Sequence, residues 1–440
     1  RQGFKDNILG HWEQYTKDCT LAVEMMRRSY VTYFEYFAWA HDDAIKLTED
    51  TDEPYLADQC SWPVSRKQIR LINTLFKNQG IAPAAYVNAS SFGWVGFELL
   101  RKRPEWYATD KTTGQPDVQF DTAYQEKYYK NEQQATYYPS MQANFFVASP
   151  VDGQTYLDFH CNELAASAAM YGWEVYRYDA GPLSSEAFPI VKSRLARLNP
   201  PVSIGNNLGV GCLGSEPSAK WKTYCRQDSL LMEENIGFAF FNPTDPHRRW
   251  RDWIDYLRLG YSLTHTSGGH YVYINGAGNW LSTALGYAVG AHSYGTYTDI
   301  KSPYGDYERF MVLYGSAFWD MNKQWLATPE QSIAVHSQRP LWWKQFASQR
   351  PLAPRHRQVI IPLFNPPAEQ DVTGTTAVGP VDDARVSFIP AKGEKVTAWL
   401  LAPEPVAQRL PLTLQRRDGK LEVTVPRFWG WTNIVFDCQQ

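Results

Sequence analysis

The chain has 440 residues, a formal net charge of −3 and 20% charged residues. That is too long for one small domain, and long enough for a barrel of roughly 250–350 residues plus a second module. The near-neutral charge and the lack of a Lys/Arg-rich run argue against nucleic acid and anionic membrane as partners, and no uninterrupted apolar stretch reaches membrane-spanning length.

The opening "RQGFKDNILG" does not read as a signal peptide, and residue 1 is not Met. The expectation is a processed or trimmed, secreted or periplasmic protein with no targeting segment in this chain. From about residue 31 to 300, short apolar strands alternate with helical segments, the pattern of a parallel α/β structure. "VTYFEYFAWA" reads as the first strand and "SRKQIRLINTLFKNQG" as the helix after it, closed by Gly80. "IAPAAYVNAS" is the second strand. The stretch 90–143 is far longer than an ordinary strand-to-helix connection and rich in Tyr, Trp and charge, which suits a lid or binding loop. "ANFFVASP" is expected as the third strand, "EVYRYDA" the fourth, "VSIGNN" the fifth, "SLLMEEN" the sixth, "GHYVYING" the seventh and "HSYGTYT" the eighth. Eight strands with helices between them is the count of a (β/α)8 TIM barrel.

Beyond the Pro-containing "QRPLAPRHR" the pattern changes. "QVIIPLFN", "ARVSFI", "EKVTAWLLA", "LPLTLQRRDGKLEVTVP" and "WTNIVFD" read as antiparallel strands, with Asp418-Gly419 as a tight hairpin turn. The expected organisation is a catalytic barrel over 1–350 followed by a C-terminal antiparallel β-sandwich over 355–440.

Aromatic residues are the compositional signal, with 17 Trp and 27 Tyr. Most belong in cores, but the surplus in loops suits a cleft that stacks on the apolar faces of sugars. The six cysteines are scattered without CxxC or His-rich spacing, so no metal site and no cofactor is expected. Only Cys212 and Cys225 stand near each other in a loop-like segment, where a bridge is open. Buried thiols are the default for the rest.

In a barrel of this kind the active site lies at the C-terminal ends of the strands. Those ends carry Trp39, His41, Asp42 and Asp43, then Tyr86 and Asn88, Arg177 and Asp179, Asn206 and Asn207, Glu233 and Glu234, and Asn275 with His270 nearby. The set offers no serine elbow, no phosphate-cradling glycine loop and no His cluster at ligand spacing. Two carboxylates ringed by Trp, Tyr and Asn suit glycosidic bond chemistry, in which one carboxyl protonates the leaving oxygen and the other attacks the anomeric carbon or activates water. Trp39, His41, Asp42, Tyr86, Asn88, Asn206, His270 and Asn275 are the expected substrate-binding residues. Each also has a plain structural role open to it: His41 as a satisfied strand-end histidine, Asn88 as a turn cap. The Asn88-Ala89-Ser90 sequon reads as accidental at a buried rim. Glu233 and Glu234 are neighbours, so alternation lets only one point inward. Arg177 lies two residues before Asp179 and so on the same strand face, where an arginine keeps a neighbouring carboxylate ionised. That is the state a nucleophile needs, whereas a general acid must hold its proton.

The order of these segments resembles glycoside hydrolase family 66, the dextranases and cyclic isomaltooligosaccharide-forming glucanotransferases. The resemblance rests on "YFEYFAWAHDD", "VSRKQIRLINTLFKNQGIAPAAYVNAS", "RPEWYATD", "GDYERFMVLYGSAFWD" and "HRQVIIPLFNP". The family's nucleophile strand lies over "GWEVYRYDAG", implying Asp179 as nucleophile, and its acid/base strand over "DSLLMEEN", implying Glu234 as acid/base. Arg177 departs from the family pattern. Arginine two residues before a strand-four aspartate is similar to the α-amylase family, whose acid/base comes from strand five. A true strand at "VSIGNN" moves the glutamate to strand six, as in family 66 and the α-galactosidase clan. The resemblance implies a retaining enzyme with its two carboxyls roughly 5–5.5 Å apart, acting on α-linked oligo- or polysaccharide, with α-glucan such as dextran favoured, by hydrolysis or transglycosylation. The alternatives are an α-amylase-like or α-galactosidase-like enzyme, a catalytically silent carbohydrate-binding protein on a degenerate barrel, and a scaffold whose aromatics are all core.

Overall fold

In the computed structural model, the residues described are most of 20–120, then 141–144, 152–179, 183, 187–207, 229–232, 254, 258, 271–275 and 280–294, and nearly all of 302–440. The chain divides into two compact units, the first 1–233 with 267–269 and 295–297, the second the remainder.

The first unit is a parallel ladder backed by helices. Its strands are β1 (Tyr33–Tyr36), β2 (Ala82–Asn88), β3 (Val175–Asp179), β4 (Ser203–Asn207) and β5 (Ser229–Met232), each paired parallel with the next. Between them run α1 (Arg66–Asn78), α2 (Tyr156–Tyr171) and α3 (Ala187–Leu195). The Ser65 hydroxyl caps α1 by accepting from the Gln68 amide at 3.3 Å, and Gly80 follows it at φ +70°, a left-handed turn that a Cβ would strain. Ile69, Ile72, Asn73 and Phe76 form its buried stripe at helical spacing. Thr155 and Asp158 make a reciprocal capping box at the start of α2.

Strand alternation sorts the ladder into two faces. Phe34, Tyr36, Ala85, Val87, Tyr176, Tyr178 and Ile204 share one buried core with Ile72, Phe76, Leu164 and Val191 of the helices. Phe34 stacks on Phe76 with centroids 4.7 Å apart. Two tyrosines carry hydroxyls into this core, and α2 supplies a partner for each. The Tyr178 hydroxyl meets His160 Nε2 at 2.5 Å, and the Tyr176 hydroxyl donates to the Leu164 carbonyl at 2.7 Å. Burial pushes both phenols well above their usual range.

Pairing corrects one expectation. Met141–Asn144, at the start of the stretch expected as the third parallel strand, pairs antiparallel with Ser90–Phe92 and Val118–Phe120, and β3 pairs directly with β2. The remainder of that stretch, 145–150, lies outside the described residues. Three short segments of the long 90–143 connection therefore build a small sheet of their own. An apolar run reveals extended backbone, but its periodicity is silent about the direction of its partner.

In the second unit, β6 (Tyr271–Asn275) and β7 (His292–Tyr294) pair in parallel around α4 (Trp280–Val289). Two antiparallel sheets follow. One runs in the order Gln324–Trp325, Ser348–Ala353, His356–Phe364, Trp431–Gln439, Lys395–Ala402, Gln408–Leu412, and the other Ile333–His336, Arg385–Phe388, Lys420–Thr424, Gln415–Arg417. Their facing side chains, among them Ile361, Leu363, Val386, Phe388, Leu400, Val423, Ile434 and Phe436, make one core. Asp418 and Gly419 both have positive φ, +48° and +77°, as the two central residues of a type I′ hairpin require. Antiparallel pairing begins at Gln324, upstream of the boundary the Pro-containing stretch suggested.

An ion pair on the sandwich gives a pH test. Arg357 holds Glu394 with two bonds, Nε to Oε1 at 2.8 Å and Nη2 to Oε2 at 3.1 Å, which lowers the Glu394 carboxyl below its usual range. A carboxyl lowered by folding contributes stability above its ordinary value, and that contribution is lost as pH falls through the lowered one. Urea midpoints measured from about pH 5 down to about pH 3 should therefore decline less steeply in Glu394→Gln than in the wild type. Parallel declines would show that the pair contributes nothing to acid sensitivity.

Candidate functional site

The face of the ladder opposite the helices carries polar groups. Register places Tyr86 beside Arg177 and Gly205, and Asn88 beside Asp179, in successive rows toward the C-terminal strand ends. Glu35 lies one row further back, in line with Ala84 and Val175. Arg177 forms a salt bridge with Glu35, two strands away, and both side chains are buried, at 3% and 0% exposure. A small neighbour leaves the path open: Ala84 stands on the strand between the partners. The guanidinium carbon lies 4.9 Å from the centroid of the Tyr86 ring, a cation–π contact that holds its plane. The second Glu35 oxygen accepts from the Tyr33 hydroxyl at 3.3 Å.

Asn88 is the other notable group. It is fully buried, and neither its amide nitrogen nor its amide oxygen finds a partner among the described residues. An unsatisfied buried amide atom costs about 1–3 kcal/mol, so a side chain with both atoms unpaired is suited to an incoming hydroxyl. It ends β2 in register with Asp179.

Trp39 is enclosed in the core, its ring 4.9 Å from Trp173 and 5.4 Å from Tyr171. Its indole N–H donates to the Tyr86 carbonyl at 2.7 Å, so it braces the strand that carries Tyr86 and Asn88. Asp42 is also fully buried, and its charge adds to burial in raising the Tyr156 phenol at the start of α2. Asn206 takes the register position beside Tyr178, in the helix-facing row, which leaves Asn207 in the alternate one. Asn275 ends β6. His41, Asp43, Glu233, Glu234 and His270 lie outside the described residues, as do Cys212 and Cys225.

Sequence reasoning missed Glu35. Its signal was present: an acidic residue alternating with aromatics in "YFEYF" must face away from the apolar side of a central strand and needs a cation there. It missed His160 as well, although "LDFHCNEL" places a histidine on the face of α2 that meets β3.

No family model matches the sequence, and no curated protein matches it either. Solved structures do match in three dimensions. A cycloisomaltooligosaccharide glucanotransferase from Paenibacillus sp., complexed with cycloisomaltoheptaose, superposes over 97% of this chain and 83% of its own at a TM-score of 0.70 and 10% identity. The present chain shares that fold. An α-L-fucosidase isoenzyme from Paenibacillus thiaminolyticus matches at TM-score 0.53 and 9% identity, covering 98% of this chain and 97% of its own. A maltogenic α-amylase from Thermotoga neapolitana does so at 0.50 and 9%, covering 94% and 93%. The resemblance drawn from the order of segments is thus borne out at the level of fold, at 10% sequence identity. The strand at "VSIGNN" is present and lies between the aspartate strand and "SLLM".

Proposed function

We propose that this chain is a retaining glycoside hydrolase or transglycosylase acting on α-linked glucan, with its parallel strands closed into a barrel. The observation that carries the reading is the pairing of Asn88 with Asp179. A buried amide whose two polar atoms have no partner among the described residues stands in register with an aspartate at the C-terminal end of a parallel ladder, where barrel enzymes keep their chemistry. The fold shared with a glucanotransferase supports the substrate class.

In this reading Asp179 attacks the anomeric carbon while a glutamic acid protonates the departing glycosidic oxygen, giving a glycosyl ester on Asp179. The same glutamate, now a carboxylate, takes a proton from water or from an acceptor sugar hydroxyl. That oxygen then attacks the anomeric carbon and releases Asp179, with net retention of configuration. Asn88 binds a sugar hydroxyl, and the Arg177–Tyr86 stack lies beneath.

The resemblance to family 66 points to Glu234 as the acid/base, with its sequence neighbour Glu233 as the alternative.

The test is the anomeric configuration of the first product, followed by proton NMR on a panel of α- and β-glucans and galactans. Retained α-product from an α-glucan is expected, and an inverted product would remove the covalent mechanism. Glu233→Gln and Glu234→Gln separate the two glutamates. The acid/base variant should lose about 10²–10⁴-fold on glycosides with poor leaving groups and keep most activity on activated aryl glycosides, whereas the other should stay within a few-fold of wild type. Oligosaccharide binding without turnover on any substrate would favour a silent carbohydrate-binding protein.

A further inference from the structure

Glu35 has no place in the mechanism above, yet it is fully buried and anchors the one arginine on the Asp179 strand. A buried ion pair is weak support for stability, because desolvation offsets most of its attraction. Its location suggests another use. Along the polar face Arg177 stands one row above Glu35 and one row below Asp179, a cation between two carboxylate positions. The Tyr33 hydroxyl and the Tyr86 ring fix the lower half of this column.

We infer that Glu35 is a positioning residue for the reaction: it draws the Arg177 guanidinium down onto Tyr86 and so limits the positive field that Arg177 exerts on Asp179. The inference rests on Asp179 being the nucleophile. A carboxylate with an unshared arginine beside it is stabilised as the anion and is a poorer nucleophile and a better leaving group than one whose arginine is shared. Sharing the arginine would leave Asp179 ionised yet still reactive.

Of the described groups facing this column, Tyr33 and Glu35 come from β1, Tyr86 and Asn88 from β2, and Arg177 and Asp179 from β3. β4 and β5 bring Gly205, Asn207, Ser229 and Leu231 in the matching rows, none of which titrates at ordinary pH. Asp42, Tyr156 and His160 belong to the buried group on the helix side.

The experiment is the pH profile of kcat/KM for the wild type, Glu35→Gln, Glu35→Asp and the double variant Glu35→Gln/Arg177→Met, with folding checked by circular dichroism. In Glu35→Gln the arginine keeps its charge and loses the Glu35 carboxylate, so the acid limb should move down by about one pH unit, with kcat lower by about tenfold. Glu35→Asp should restore the wild-type limb. In the double variant both charges are gone and the limb should move up instead. That variant also serves if the single one fails to fold, since it removes both charges of the buried pair. Folded Glu35→Gln with an unmoved limb, or single and double variants shifting the same way, would overturn the inference. Failure of the underlying reading looks different: Asp179→Asn would then retain turnover, or the product would be inverted.

Discussion

Asp179→Asn should lower kcat/KM on every substrate by about 10⁴-fold or more, some 5 kcal/mol of transition-state stabilisation, while leaving oligosaccharide affinity within a few-fold of wild type. Asparagine matches aspartate in shape and keeps the register position opposite Asn88 at the end of β3. It lacks the anionic oxygen that would form the glycosyl ester. Turnover followed by product release and binding followed by calorimetry on the same preparation separate these effects. A variant within tenfold of wild type would take Asp179 out of the nucleophile role. Asp42, the nearest acidic residue in β1's trailing segment, offers no ready substitute, because it is fully buried and acts on Tyr156 of α2.

Much of this arrangement was legible in the sequence, for identifiable reasons. The helix 66–78 announced itself through the Ser65 cap, the 69/72/73/76 stripe and Gly80, three local signals that agree. Lys420–Thr424 alternates buried and exposed positions, and Asp418-Gly419 fixed its hairpin register outright. What could not be read was pairing. Nothing in "ANFFVASP" distinguishes a parallel barrel strand from the antiparallel partner of Ser90–Phe92, since both are short apolar runs next to a loop. The same blindness hid the site's organisation. Arg177 was matched with Asp179, its neighbour in sequence. Its ion-pair partner Glu35 is 142 residues away and comes into reach only because β2 places Ala84 between the two strands. Trp39 shows the reverse error. An aromatic at a strand end suggested a sugar platform, but the ring is buried against Tyr171 and Trp173, and its N–H donates to the Tyr86 carbonyl.

The largest stability effect is expected in the second unit, at Glu404. Its carboxylate is 2% exposed and accepts four hydrogen bonds: the Tyr307 hydroxyl at 2.5 Å and the Trp431 amide at 3.0 Å on Oε1, the Trp429 amide at 3.0 Å and the Gly430 amide at 2.9 Å on Oε2. It thereby ties α5 (Tyr307–Tyr314) to the strand entered at Trp431, whose indole packs edge-on against Tyr307 and Phe310. The fit leaves no slack at Gly430, where a Cβ would come within 2.6 Å of the Trp280 ring and 3.1 Å of Glu404 itself. Glu404→Ala strands three backbone N–H groups and a phenol in a dry interior. It should cost about 3–5 kcal/mol in urea unfolding followed by tryptophan fluorescence. Tyr307→Phe removes a single donor and should cost about 1–2 kcal/mol. The pH dependence runs opposite to that of Glu394. Burial raises the Glu404 carboxyl above its usual range, so the folded state holds this proton more tightly than the unfolded chain. Its contribution is therefore fullest below the ordinary glutamate value and declines as pH rises from there through the raised one. Glu404→Gln, neutral at every pH, should remove that decline while lowering stability overall, because its amide N–H₂ must face backbone donors on one side. A Glu404→Ala variant unfolding within 1 kcal/mol of wild type would mean that the aromatic contacts of Trp431 hold α5 without the carboxylate.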